Sequence, residues 1–169
     1  MRKILLAFLL AALPAGAAVQ QASQQPSPPD QRARQDGVAQ RGDHVMGFSH
    51  EATTHHFRLF KDGGEIVVVA NDPDDKATIE QIRIHLNHIV GMFSNGNFNA
   101  PALIHDTNPP GVATMTRLKS DIRYTVTEVD RGARIRILTS SPETTDAVHA
   151  FLLFQIIDHK TGDSPAIAG

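Results

Sequence analysis

Any chemistry in this chain would fall to its histidines. Four of the nine lie between His44 and His56, in the stretch His-Val-Met-Gly-Phe-Ser-His-Glu-Ala-Thr-Thr-His-His, just ahead of the first expected strand. Imidazole suits zinc, copper, nickel and iron, while the absence of cysteine excludes thiolate metal sites and thiol catalysis. A second group, His85, His88 and Met92, recurs at i, i+3 and i+7 and so shares one flank of a helix. Met46 follows closely on His44, a His/Met pair of the kind soft copper favours. The expected metal ligands are His55, His56, His85 and His88, with His44, Met46 and Met92 as further candidates and copper or zinc as the ion. Because successive side chains of a strand face opposite sides, only one of His55 and His56 can point inward.

No complete catalytic signature accompanies them. His50-Glu51 lacks the histidine four residues on that a zinc-protease helix needs, and no Gly-x-Ser-x-Gly elbow occurs. His105-Asp106 is a conspicuous pair in a Pro-rich loop, but adjacent residues rarely orient one another. Asp62-Gly63-Gly64 reads as hairpin chemistry rather than a phosphate cradle, and the acidic run Asp72 to Asp75 lacks the alternate-position ligands of a calcium loop. No catalytic or cofactor-binding residue is assigned, and a binding module is favoured over an enzyme. The alternatives are a small enzyme with His55 or His56 as base, and a dimeric structural module without a site.

The elements that must position these residues form one domain. Phe57 to Lys61 and Glu65 to Ala70 read as strands joined by Asp62-Gly63-Gly64, and Arg123 to Val129 and Ala133 to Thr139 as strands joined by Asp130-Arg131-Gly132. A helix follows each pair, announced by Asn71-Asp72-Pro73-Asp74-Asp75 and by Ser140-Ser141-Pro142-Glu143, with proline expected at the first helical position. Ile79, Ile82, Leu86, Ile89 and Phe93 give the first helix a single apolar stripe. The last helix, around Val148 to His159, is apolar nearly all round and needs a second cover, either the central segment or another subunit; a homodimer through this helix is the favoured reading. The central segment, Ser94 to Asp121, is expected to carry one short helix over Ala113 to Ser120. The expected fold is α+β: two ββα repeats forming a four-stranded, mainly antiparallel sheet, with two long helices on one face.

Met1-Arg2-Lys3, the apolar run Ile4 to Leu13 and the small residues to Ala18 read as a secretory signal, cleaved after Ala17 or Ala18. About ten apolar residues fall short of the roughly 20 that span a bilayer. The mature chain is expected in the periplasm or secreted, without a membrane anchor. Its formal charge of −4 (14 basic, 18 acidic residues), without a basic cluster or tryptophan, speaks against nucleic acid. Residues 19–42 read as a spacer without structure, 43–163 as the domain and 164–169 as a flexible tail.

The strings Met46-Gly47-Phe48 with Thr53-Thr54-His55-His56-Phe57, Asn108-Pro109-Pro110-Gly111-Val112, and Val148 to Gln155 with Asp158-His159-Lys160-Thr161-Gly162-Asp163 resemble a group of small exported bacterial proteins of uncharacterised function. The likeness spans about Asp43 to Asp163 and implies export, without supplying a catalytic residue. Chains of that group sometimes bear the name aspartate carbamoyltransferase, but the second domain and the Ser-Thr-Arg-Thr phosphate motif of that family are absent here.

Overall fold

A computed structural model describes residues 29–168, so the expected export signal and the first part of the spacer lie outside the described residues. The chain begins with α1 (Pro29–Met46) and a 3-10 turn (His50–Ala52), then β1 (Thr53–Phe60), β2 (Gly63–Ala70) and α2 (Lys76–Ser94). Two short helices follow, α3 (Asn99–His105) and α4 (Val112–Arg117), and a further 3-10 turn (Lys119–Asp121). The chain then runs through β3 (Ile122–Val129), β4 (Gly132–Thr139), α5 (Pro142–Asp158) and β5 (Ile167–Ala168).

The fold is α+β, with a five-stranded mixed sheet in the order β3-β4-β2-β1-β5. Four strands are antiparallel to their neighbours, and β5 adds a parallel edge beside β1 that a four-stranded sheet did not anticipate. Its anchor is Asp163, whose Oδ2 accepts the Phe57 amide hydrogen bond at 2.9 Å and so draws the tail along the edge of β1. The two hairpins share one register: Thr53 faces Ala70 and Ile122 faces Thr139, while Ile66 faces Ile135 where β2 and β4 meet.

Period-two alternation puts Phe57, Leu59, Ile66, Val68, Ile135 and Ile137 on one face, where α2 and α5 cover them. The helix starts follow from their caps. Asp75 accepts the Thr78 amide at 3.0 Å, and Ser141 and Thr144 form a capping box with Pro142 at the first position of α5. Pro73, expected at the same place in α2, instead lies ahead of the Asp75 cap in a turn.

Two further differences concern segments whose order comes from polar or tertiary contacts. The spacer expected without structure carries α1 over 29–46. That helix has no apolar stripe; it is held by Val38, by Arg41 Nε donating to the Ile104 carbonyl at 2.8 Å, and by Arg34 Nε donating to Asp158 at 3.1 Å. Helix α3 escaped notice because Pro101 reads as a breaker, yet it falls in the first turn, where its missing N–H costs nothing. Within the chain α5 packs against α4 and, through Phe154, against the α3 histidine His105, while Ile157 on α5 stays well exposed.

Helix α4 meets α5 at Gly111, whose φ of +82° and distance of 2.0 Å from an added Cβ to the Ala147 carbonyl oxygen leave room for glycine alone. Gly111→Ala is expected to destabilise the chain by more than about 2 kcal/mol in chemical denaturation, combining left-handed strain with a backbone clash.

Candidate functional site

Alternation along β1 turns His55 toward the helices and His56 toward the other face, where its Nδ1 donates to Asp163 at 2.9 Å. After α1, Gly47 turns the chain at φ +82°, Phe48 is buried, and Ser49 caps the 3-10 turn that leads into β1. His50 is fixed at the surface by Asp43, which accepts from its backbone amide at 2.6 Å. The Phe48 ring lies between two histidines, 5.5 Å from His85 on α2 and 6.4 Å from His55. On its other side His55 stacks parallel to His159 at 5.8 Å, and His159 meets the buried His105 edge-on at 4.9 Å. One row of rings thus joins α2, the arm before β1, β1 itself, the end of α5 and α3.

His105 is the anchored member of this row. Its Nδ1 donates to Asp158 Oδ2 at 2.5 Å, and its Nε2 lies 2.9 Å from Gln155 Oε1. Burial alone would raise the Asp158 pKa, but the hydrogen bonds from His105 and Arg34 outweigh it and hold the carboxyl below its ordinary range. The other three histidines are not anchored: among the described residues no hydrogen bond is made by the His55, His85 or His159 side chain. Desolvation, aided by His85, His56 and His50, lowers the His55 pKa to about 4. Desolvation and His88 lower that of His85 to about 4, and desolvation with His55 and His105 lowers that of His159 to about 3 against the opposing pull of Asp158. At neutral pH all three are uncharged, each offering one N–H and one lone pair.

These rings wall two adjoining cavities. The outer cleft, about 460 Å3, opens between α1, β1 and the end of α5; the inner chamber, about 80 Å3, lies under the sheet among Phe57, Val68, Leu86, Phe93 and Phe151. Met46, His55 and His159 line both and form the waist between them.

Of the expected metal ligands, then, His55 and His85 come to one site. His56 faces away and is engaged by Asp163, His88 is on the exposed side of α2, His44 is exposed, and Met92 packs on the core. Met46 is half-buried at the waist. Among the described residues no three His, Asp or Glu side chains gather closely enough to hold one metal ion. His149, inside α5, ties the hairpin by hydrogen bonds to the Phe60 and Gly63 carbonyls at 2.8 and 3.0 Å. The residues that sequence reasoning missed are Gln155, Asp158 and His159, while His105 was noted only beside Asp106. The spacing of Gln155, Asp158 and His159, at i, i+3 and i+4, marks one helix face and was the available signal. Asp106 is not the partner of His105: it sits exposed in the left-handed conformation, φ 51°, that ends α3. Comparison with protein-family models, with curated proteins and with solved structures found no match.

Two stability measurements follow from the three unanchored imidazoles. Their folded pKa values lie below the unfolded value of about 6.5, so below that pH the unfolded chain binds more protons than the folded one. Stability is therefore expected to fall as pH drops from about 6.5 toward 4, ahead of the loss from Asp158 and Asp163, whose lowered pKa values place their contribution at still lower pH. Denaturant unfolding across that range checks it. In the same assay, His55→Leu or His159→Leu is expected to remove part of this pH dependence while changing neutral-pH stability by less than about 0.5 kcal/mol, because each half-buried ring has no protein partner to lose.

Proposed function

We propose that this chain is an exported binding protein that holds a small ligand in the histidine-walled cleft. The observation that carries the reading is the set of three neutral imidazoles, His55, His85 and His159, placed around adjoining cavities with their hydrogen-bonding groups unused by the protein. The three rings are half-buried and turn toward cavities, so their hydrogen-bonding groups are open to a bound molecule. The outer cleft alone has the volume usual for a small-molecule site. Binding is favoured over catalysis because both nitrogens of His105 are occupied by Asp158 and Gln155, and because imidazoles titrating near pH 3 to 4 are weak bases at neutral pH. Export rests on the apolar, small-residue N-terminus. The matching registers of the two hairpins support a scaffold made of two ββα units, with the His44 to His56 arm as an addition to the first.

A transition-metal ion is the second reading, favoured by Met46, His55 and His159 at the waist: two neutral nitrogens and a thioether suit copper. This set replaces the four histidines that spacing suggested, retaining His55 alone.

The two readings separate in solution. A fragment library screened by thermal shift is expected to yield compounds that raise the melting temperature of the mature chain but not of His55→Ala or His159→Ala variants that remain folded. If copper or zinc is the ligand, calorimetry is expected to show a Kd tighter than about 100 μM, some 5.5 kcal/mol. That affinity should hardly change between about pH 5 and 8, since the ligands are already deprotonated. Fragments and metals both failing, or binding equally well to the alanine variants, would remove the basis for the site.

A further inference from the structure

The inner chamber holds one polar feature that nothing above uses. Gln155 is 4% exposed; its Oε1 is taken by His105, and its Nε2 is a buried donor with no partner. Gln155 lines the chamber, whose remaining walls are apolar side chains and imidazoles, with no Lys, Arg, Asp or Glu among them. Water could satisfy such a donor only by bridging it to one of the imidazoles, since the other side chains lining the chamber are apolar. A mainly apolar pocket with one fixed donor instead suits the end of an organic molecule that brings its own acceptor.

The size and charge of that end follow from the walls. A chamber of about 80 Å3 is smaller than the roughly 150 Å3 apolar cavity that takes benzene, so it admits a compact group of a few heavy atoms. An ammonium would meet no carboxylate in the lining, and a carboxylate would meet only the His105 ring, which is already paired with Asp158, so the buried end is uncharged. Beyond the waist the outer cleft is more polar, with Gln35, Asp36, Thr54 and Thr161 in its lining, and has room for the rest of the molecule.

Building on the binding reading, we infer that the ligand is an amphipathic organic molecule whose compact, uncharged apolar end carries an acceptor oxygen that Gln155 Nε2 hydrogen-bonds in the inner chamber. A ketone, amide or ether oxygen meets this description. His55 and His159 grip the molecule at the waist, and its polar remainder lies in the outer cleft.

Three probes of matched size test the chamber in the intact mature chain: 2-butanone, 2-butanol and butyrate. The readout is the side-chain amide resonance of Gln155 together with the methyl resonances of Val68 and Leu86. The expected result is saturable shifts with 2-butanone, weaker binding of 2-butanol and none of butyrate. Gln155→Met, which keeps the volume and removes the donor, should weaken 2-butanone about tenfold, equivalent to 1.4 kcal/mol. Should that variant fail to fold, Val68→Phe, which fills the chamber from the sheet side, is expected to abolish the shifts. Unmoved Gln155 resonances at saturating 2-butanone would overturn the inference, as would tighter binding of 2-butanol or butyrate. If that happens while fragments or metals still require His55 and His159, the binding reading stands and only the ligand class falls; if those also fail, both fall.

Discussion

The carboxylate of Asp158 is the contact on which the cleft depends. At the end of α5 it accepts one hydrogen bond from Arg34 of α1 and another from His105 of α3, so three helices from distant parts of the chain meet at one group. Without it α1, which has no apolar stripe, would keep Val38 and the Arg41 contact to α3 as its main attachments. The outer cleft is the space between α1 and the sheet edge, so whatever positions α1 also sets the width of the cleft. The same carboxylate fixes the orientation of His105 and, through it, of Gln155. One charge-assisted node thus ties architecture to site.

The rest of the molecule supplies rigidity cheaply and spends it in one place. The sheet, α2 and α5 enclose an ordinary apolar core in which Ile82, Ile135, Ile137, Phe151 and Leu152 are almost wholly buried. Against that background the row His85, Phe48, His55, His159, His105 is anomalous, because five rings stand where aliphatic side chains would pack at lower cost. Ring faces and edges recover part of that cost through stacking, and His105 recovers more by hydrogen bonds. His55, His85 and His159 recover the least, which is why the chemistry is placed with them.

Much of the scaffold was legible from the chain. Alternation in Arg123 to Val129 and Ala133 to Thr139, and the stripe from Ile79 to Phe93, mark strands and a helix because one face of each meets a continuous core. Helix α1 was not legible, because arginine contacts to α3 and α5 hold it rather than periodicity. Strand β5, of two residues, exists only because Asp163 draws the tail to β1. The site was half legible for a similar reason. Composition pointed to the arm and to α2, and His55 and His85 do converge on Phe48, but strand alternation sends His56 outward and helix rotation leaves His88 in solvent. His105 read as loop and His159 as the end of the last helix; local pattern explains both, while their meeting depends on how α3 packs on α5.

The central claim is that the cleft is walled by imidazoles kept neutral by burial and free of protein partners. Titrating the ring resonances of the ligand-free protein by NMR tests it most directly. The account requires His55 and His85 to titrate near pH 4 and His159 near pH 3, all well below the ordinary imidazole value of about 6.5. Values for His55 and His159 close to the ordinary 6.5 would mean solvated, unconfined rings and would contradict it.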